Sequence, residues 1–211
     1  MPRILFYGDS NTWGFDANTQ TRFPDDTTYI GQLRRMLPQT YVLICEGLCG
    51  RSTAYDLPLE PGRNGLCYLP VALGSADPVD LVVIMLGTND RRASRHVAPQ
   101  ESALAMERYL AVIRNPQSWL GHQLPKVMLV APPPLHPRVL DTECAFYYNE
   151  TSIQDSRALP AYYARVAEQY GCAFVSLADI DPGPDGVHLD AAGHLAAAQI
   201  LAPMLASLFS D

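Results

Sequence analysis

Lysine is almost absent from this sequence, although arginine is not. Lys126 is the only lysine among 15 basic residues, and the formal net charge of the 211-residue chain is -7. Binding to a nucleic-acid backbone requires a concentrated patch of Lys and Arg, so we expect no nucleic-acid partner. Schiff-base chemistry or phosphate binding by a loop lysine would depend on this one residue, which precedes a predicted strand. The sequence argues against both.

Paired cysteines and long apolar runs are lacking as well. The cysteines form no Cys-x-x-Cys pair, which argues against a disulfide framework or a metal site built from them; they are Cys45, Cys49, Cys67, Cys144 and Cys172. No stretch approaches the ~20 apolar residues of a membrane span. The opening residues MPRILFYGDS lack the features of a secretory signal. We therefore expect a cytoplasmic protein with no membrane partner.

Five short apolar segments alternate with segments of helical period. The predicted strands cover residues 3–7, 41–45, 80–86, 126–131 and 173–177, and the predicted helices cover 28–37, 99–114, 159–170 and 191–209. This alternation is typical of a three-layer α/β/α domain with a parallel sheet. We predict the flavodoxin-like strand order 2-1-3-4-5, because it places a switch point between the first and third strands.

The length of the chain is that of one domain, so we predict a single domain over residues 1–211. Two segments do not fit the alternation. Residues 51–77 are rich in Pro and Gly and predict a loop with a short helix near 68–73, and residues 135–156 have no clear period. We interpret both as loop insertions, the second of which shapes a pocket or meets another subunit.

Small polar or glycine-containing turns follow the first three predicted strands. They carry Ser10 in Gly-Asp-Ser, Gly50 in Gly-Leu-Cys-Gly and Asn89 in Gly-Thr-Asn-Asp. Ligands of open α/β sheets bind at the carboxyl ends of the strands near the switch point, so these turns should converge on one pocket. Ser10 is a candidate nucleophile there, although Gly-Asp-Ser is also ordinary turn chemistry.

A serine nucleophile needs a base, and the base needs a partner that holds its tautomer. His188 lies in a Gly- and Pro-rich loop after the last strand, and Asp185 precedes it by three residues. The loop could bring the Asp185 carboxylate to the imidazole, but Asp-Gly is also a common turn. The other histidines show no comparable acidic neighbour in a loop; they are His96, His122, His136 and His194.

Acyl transfer also needs hydrogen-bond donors for a developing oxyanion. The backbone N–H groups of Ser10 and Gly50 and the side-chain amide of Asn89 could supply three. Gly50 suits this role because a residue without Cβ lets the backbone approach a substrate closely. Asn89 could equally be a turn residue at a strand end.

These four blocks, GDSNTWG, the glycine turn with Gly50, GTND and DGVH, resemble in order and spacing those of the SGNH (GDSL-type) hydrolases. The resemblance spans residues 4 to about 195, and the sequence around the blocks is most similar to the arylesterase and acyltransferase branch. It implies the SGNH hydrolase fold and a serine esterase that acts on short acyl (acetyl or aryl) esters through an acyl-enzyme. It also implies transfer of the acyl group to alcohols or peroxide, no cofactor or metal, and a homo-oligomer.

The resemblance further implies a role for each matched residue. Ser10 is the nucleophile, His188 the general base and acid, and Asp185 the carboxylate that orients His188. The oxyanion hole comprises Ser10, Gly50 and Asn89. Trp13 is expected to form a wall of the substrate pocket, and Asp9 to support the turn. No role follows for Arg51.

Other functions remain open from the residues alone. A carbohydrate acetylesterase or a small-lipid esterase would use the same site. Asp9, Asn89, Asp90 and His188 could instead be ligands of a metal-dependent phosphoesterase, although two-metal sites usually draw on more His and Asp ligands. A non-catalytic flavodoxin-like binding module is a third alternative, because fold does not fix function.

Overall fold

The architecture is an alternation of strands and helices, seen here in a computed structural model that describes residues 1–57, 59–119 and 123–210. The strands are β1 (Arg3–Gly8), β2 (Phe15–Asp16), β3 (Thr21–Arg22), β4 (Val42–Gly47), β5 (Leu81–Met85), β6 (Lys126–Ala131) and β7 (Ala173–Ser176). The helices are α1 (Ser10–Trp13), α2 (Tyr29–Met36), α3 (Gly65–Ala76), α4 (Pro99–Ile113), α5 (Glu150–Tyr170) and α6 (Ala191–Ser207).

Five of the strands form one parallel sheet in the order β4-β1-β5-β6-β7, and β2 and β3 form a small separate hairpin. Counted along the chain without the hairpin, the order of the large sheet is 2-1-3-4-5, as predicted. β1 pairs with β4 on one side and with β5 on the other. The switch point therefore lies at β1, the strand that leads into Ser10.

Helices cover both faces of the sheet, because its strands are apolar on both faces. On one face, Leu5 and Tyr7 pack with apolar side chains of α3, α4 and α5. On the other face, Ile4 and Phe6 pack with α2 and α6. These two cores produce the predicted α/β/α layers.

Two helices are longer than the sequence predicted. The loop expected over residues 51–77 contains the 12-residue helix α3, which is capped by Asn64 and continues through Pro70. Helix α5 begins at Glu150 rather than at 159, because Asn149 and Ser152 form a capping box at its first turn. The segment 135–156 therefore includes regular structure.

The first part of that segment packs against the loop that follows β7. Two short 3-10 turns, Pro137–Asp141 and Glu143–Phe146, lead into α5. Val139, Tyr148 and Ile153 form a small buried cluster with Val187. This cluster fixes the position of the loop that carries Asp185 and His188. Over the described part of the chain, no helix has the length and apolarity needed to cross a membrane.

Candidate active site

The ends of β1, β4 and β5 and the loop after β7 enclose a cavity of about 610 Å³. Ser10, Gly50 and Asn89 line it from the strand ends, and Asp185 and His188 line it from the loop. The five residues that the sequence singled out for nucleophile, base, orienting acid and oxyanion donors therefore lie together. Their convergence follows from the shared direction of parallel strands, whose carboxyl ends meet at one edge of the sheet.

Ser10 lies at the first position of α1, directly after β1. The Asp9 side chain caps this short helix by accepting a hydrogen bond from the backbone N–H of Asn11 at 3.0 Å. Gly8 must lack a side chain, because a Cβ there would overlap the Thr12 hydroxyl. The tight turn leaves Ser10 only 5% exposed. Its hydroxyl nevertheless faces the cavity.

A chain of hydrogen bonds connects Ser10 to Asp185 through His188. Ser10 Oγ is 2.9 Å from His188 Nε2, and His188 Nδ1 is 2.5 Å from Asp185 Oδ2. Asp185 Oδ1 accepts hydrogen bonds from the backbone N–H groups of Val187 and His188, both at 2.9 Å. An ionised Asp185 can only accept, so Nδ1 carries a proton and neutral His188 presents an unprotonated Nε2 to Ser10.

The environment of Asp185 keeps this carboxyl group ionised. Burial alone would raise its pKa, but the hydrogen bond and charge of His188 and the two backbone N–H groups outweigh burial and lower it. The pKa of Asp185 therefore lies below its ordinary value. A carboxylate that stays negative stabilises a protonated imidazole beside it, which is what a base needs when it takes a proton from serine.

Asn11 and Phe15 contribute to the site, although the sequence did not indicate either residue. Asn11 Oδ1 accepts a hydrogen bond from the backbone N–H of Leu189 at 2.8 Å, which ties α1 to the loop that bears His188. The Phe15 ring lies 4.5 Å from the His188 ring, measured between centroids, and lines the cavity. Both residues follow Ser10 closely in the sequence, and only the tertiary structure shows what they contact.

The candidate oxyanion donors lie on three neighbouring turns. Gly50 has a φ of +78°, a left-handed conformation that favours glycine. Within the described residues, the backbone N–H groups of Ser10 and Gly50 have no hydrogen-bond acceptor. Asn89 Nδ2 lies 3.2 Å from the backbone oxygen of Arg51 and 3.4 Å from Asp9 Oδ2. The contact with Asp9 is the longer and weaker of the two. When the Asn89 amide donates a hydrogen bond to a substrate oxygen, it must therefore share or give up the hydrogen bond to Asp9.

Asp9 is fully buried beside these donors. Burial raises its pKa to about 6, although the backbone N–H of Asn11 and the charges of His188 and Arg51 act in the opposite direction. Asp9 therefore changes charge close to neutral pH, next to the amide of Asn89. Its structural role as the cap of α1 matches the expectation that it supports the turn.

Trp13 does not line this cavity, contrary to the prediction from the sequence. The Arg22 guanidinium lies 5.4 Å from the centre of the Trp13 ring, and Arg22 Nε donates to the Trp13 backbone oxygen. Phe15, on the β2-β3 hairpin, forms part of the cavity wall instead. The sequence did not predict the hairpin between Trp13 and α2, because its two strands have only two residues each and give no periodic pattern.

Of the four residues proposed for a metal site, Asn89 and His188 line the cavity and Asp9 contacts Asn89, but Asp90 does not join them. Asp90 is not among the residues that line the cavity, and its carboxylate accepts hydrogen bonds from Thr53 and Ser102. Across residues 1–57, 59–119 and 123–210, no group of three or more His, Cys, Asp or Glu side chains is arranged to hold a metal ion. The donor geometry therefore gives the metallophosphoesterase hypothesis no support.

The remaining histidines lie elsewhere. His194 is buried on α6, where its Nδ1 accepts the backbone N–H of Tyr29 and burial lowers its pKa to about 4. His136 Nδ1 accepts a hydrogen bond from the backbone N–H of Arg138. His96 ends a 3-10 turn in a left-handed conformation. His122 lies outside the described residues.

Fold and site together define a GDSL-like acylhydrolase. The sequence model of the GDSL-like Lipase/Acylhydrolase family matches residues 6–196, and the chain belongs to this family. The resemblance to SGNH (GDSL-type) hydrolases is thereby confirmed. Comparison with curated protein sequences finds no match.

Solved structures of esterases are similar over the whole chain. Est24, a carbohydrate acetylesterase from Sinorhizobium meliloti, is 33% identical with a TM-score of 0.90, and the match covers 99% of this chain and 100% of the other. The M. smegmatis aryl esterase is also 33% identical, with a TM-score of 0.88 and the same coverage. The family and these neighbours identify an ester hydrolase.

Proposed function

We propose that this protein is a serine esterase that hydrolyses short-chain acyl esters through an acyl-enzyme on Ser10. The observation that carries the proposal is the continuous hydrogen-bonded series Ser10 Oγ, His188 Nε2, His188 Nδ1 and Asp185 Oδ2. It provides the nucleophile, base and orienting carboxylate that acyl transfer requires. Gly50 and Asn89 line the same cavity as these three residues.

In the first half-reaction, Ser10 Oγ attacks the ester carbonyl while its proton passes to His188 Nε2. The carbonyl oxygen becomes negative, and the N–H groups of Ser10 and Gly50 and the amide of Asn89 donate to it. His188 then gives its proton to the departing alkoxide, and the acyl group remains on Ser10. Asp185 stays ionised throughout and stabilises the protonated imidazole.

In the second half-reaction, His188 takes a proton from water, whose oxygen attacks the acyl-enzyme. Collapse of the intermediate releases the carboxylic acid and returns the proton to Ser10. An alcohol or hydrogen peroxide that enters in place of water would yield an ester or a peracid by the same proton transfers. Acyl transfer to these acceptors is therefore part of the proposal.

The cavity favours a small ester. Its volume of about 610 Å³ is shared with solvent at its mouth, and aromatic side chains of Phe15, Tyr147 and Tyr148 line it. Such walls suit an aryl or alkyl alcohol group. Polar side chains of Asn18, Gln20 and Glu143 lie in the same cavity. They favour an acetylated carbohydrate as a second candidate substrate, consistent with the acetylesterase among the structural neighbours.

An assay with 4-nitrophenyl acetate tests the proposed function. We expect turnover by the wild type that EDTA does not change, and a loss of about 10⁴-fold or more in kcat for Ser10→Ala. Ser207→Ala is the matched control, because this exposed serine on α6 bonds only within its own helix. Full activity in Ser10→Ala would exclude the mechanism, whereas loss with EDTA would favour a metal-dependent one.

Two further expectations extend the proposal. A homo-oligomer is supported by Phe146, which is 87% exposed, and by the neighbouring Tyr147. The cytoplasmic location stays a prediction, as does the division of the chain into one domain with two insertions.

A further inference from the structure

Among the described residues, Arg51 is one of the largest fully buried side chains, and the proposed mechanism gives it no role. It follows Gly50 directly, and only 2% of its surface is exposed. Burying a guanidinium is costly unless charge and hydrogen bonds compensate. The nearest carboxylate, Glu46 Oε2, lies 3.9 Å from Nη2 and is itself partly exposed. This ion pair alone does not compensate for the cost of burying the guanidinium.

The guanidinium instead contacts the ends of two strands. Its Nη1 donates to the backbone oxygen of Gly8, at the end of β1, at 2.9 Å and also to the backbone oxygen of Glu46, near the end of β4. Its face lies over the Tyr7 ring, with 4.1 Å between the guanidinium carbon and the ring centre. One side chain therefore connects the strand that leads to Ser10 with the strand that leads to Gly50.

The backbone of Arg51 holds the other two turns. Its N–H donates to the Leu48 oxygen at 3.1 Å and closes the turn that contains Gly50. Its carbonyl oxygen accepts a hydrogen bond from Asn89 Nδ2 at 3.2 Å. All three turns that carry the proposed oxyanion donors thus contact this single residue.

We infer that Arg51 is a positioning residue that fixes the Ser10, Gly50 and Asn89 donors relative to one another. The inference rests on the proposed function, because it concerns donors to the oxyanion of acyl transfer. Arg51 does not touch the substrate. Its guanidinium fixes where the Gly50 turn sits on the strand ends, and its backbone then fixes the amide of Asn89. Oxyanion donors are effective only when they are held at the right distance before the reaction begins.

A purely structural role predicts a different result. In that case the loss of Arg51 would lower the free energy of unfolding and leave the transition state unaffected in the molecules that remain folded. The positioning role predicts that kcat falls while KM stays nearly constant, since donors to the oxyanion act mainly in the transition state. Binding of an oxyanion analogue should then weaken along with kcat.

The variants are Arg51→Met, which removes the donors and the charge of the guanidinium but keeps the backbone contacts, and Arg51→Lys, which retains the charge. Tyr7→Phe is the matched control, because it removes a buried hydrogen bond to the Gly65 oxygen and keeps the ring beneath Arg51. For each protein, kcat and KM are measured with 4-nitrophenyl acetate, together with Tm. Inhibition by an alkyl trifluoromethyl ketone, which adds to serine as a tetrahedral oxyanion, is measured in parallel.

For Arg51→Met we expect a fall in kcat of about 10²- to 10³-fold, comparable to the loss of one oxyanion donor, with KM within about threefold. Ketone affinity should fall by a similar factor. For Arg51→Lys we expect an intermediate loss of about tenfold, because one ammonium cannot reproduce the planar donor geometry. Tyr7→Phe should lower Tm and leave kcat unchanged.

The inference is overturned if folded Arg51→Met keeps kcat within about fivefold of the wild type, or if kcat falls while ketone affinity is unchanged. If Arg51→Met does not fold, the test rests on Arg51→Lys. A joint decrease in kcat and ketone affinity in Arg51→Lys supports the positioning role. Values of both within about twofold of the wild type refute it. Failure of the proposed function itself would appear separately, as full activity in Ser10→Ala.

Discussion

Replacing Asp185 with asparagine should change the tautomer of His188 while leaving the shape of the loop intact. The backbone N–H groups of Val187 and His188 both donate to Asp185 Oδ1 at 2.9 Å, so the amide oxygen of the introduced asparagine should occupy that position. Its NH₂ group then faces His188 Nδ1 in place of Oδ2. Two donors cannot face each other, and Nδ1 must become an acceptor.

The proton of the neutral imidazole then lies on Nε2, 2.9 Å from Ser10 Oγ, where a free lone pair is needed. His188 can no longer take the serine proton. Change of tautomer at such a triad lowers kcat by about 10⁴-fold, which corresponds to about 5.5 kcal/mol of transition-state stabilisation. Tm should change little, since the loop keeps its hydrogen bonds.

The assay is kcat and kcat/KM with 4-nitrophenyl acetate for the wild type, Asp185→Asn and the control Asp181→Asn. Asp181 lies in the same loop and forms an exposed ion pair with Arg138, so its replacement should leave kcat unchanged. A folded Asp185→Asn protein that keeps more than a tenth of the wild-type kcat would refute the reasoning.

Three other perturbations test separate parts of the structure. Asn89→Ala removes one proposed oxyanion donor and should lower kcat by about 10²- to 10³-fold with little change in KM; an effect confined to KM would contradict this role. His194→Asn keeps an acceptor for the Tyr29 N–H but cannot titrate. Because burial lowers the pKa of His194 to about 4, the unfolded state binds more protons below pH ~6.5. The wild type should therefore lose up to about 1.4 kcal/mol of unfolding free energy per pH unit, relative to the variant, as pH falls from ~6.5 to 4 in urea titrations. If the free energy of unfolding depends on pH equally in the wild type and in His194→Asn, this expectation is contradicted. Phe146→Ser should shift the wild-type assembly to a smaller mass in light scattering, and a wild type that is already monomeric would exclude the homo-oligomer.

The strand order and the meeting of Ser10, Gly50 and Asn89 were predictable because they depend on short-range patterns and on the geometry of parallel sheets. Each of the first three apolar runs ends in a small polar or glycine-containing turn, and parallel strands bring such turns to one edge. The Asp185–His188 pair was predictable from its spacing, since both residues lie in one short loop.

The start of α5 was not predictable from hydrophobic period, because two of its buried positions are serines. Ser152 caps the first turn together with Asn149, and Ser156 accepts a hydrogen bond from the Leu135 N–H. Of helix α3, only a short helix near 68–73 was predicted, and the structure extends it to Gly65–Ala76 with Pro70 tolerated inside. Both helices owe their length to packing and capping, which override local composition.

Individual side-chain contacts between distant parts of the chain could not be predicted. Asn11 meets Leu189, 178 residues away, and Arg51 meets Gly8 through its side chain and Asn89 through its backbone. The misplacement of Trp13 has the same origin, because Arg22 of the β2-β3 hairpin covers its ring. Such contacts are set by the tertiary structure and leave no periodic signal in the sequence.

The central claim is that the acyl group of the substrate is carried on Ser10. The most direct test is to mix the enzyme with excess 4-nitrophenyl acetate, quench with acid within the first turnover, and locate any added acetyl group by peptide mass spectrometry. We expect acetylation of Ser10 in the wild type and none at position 10 in Ser10→Ala. Cys49 and Cys144 also line the cavity. Acetyl found on either thiol, or on no residue while turnover continues, would contradict the account.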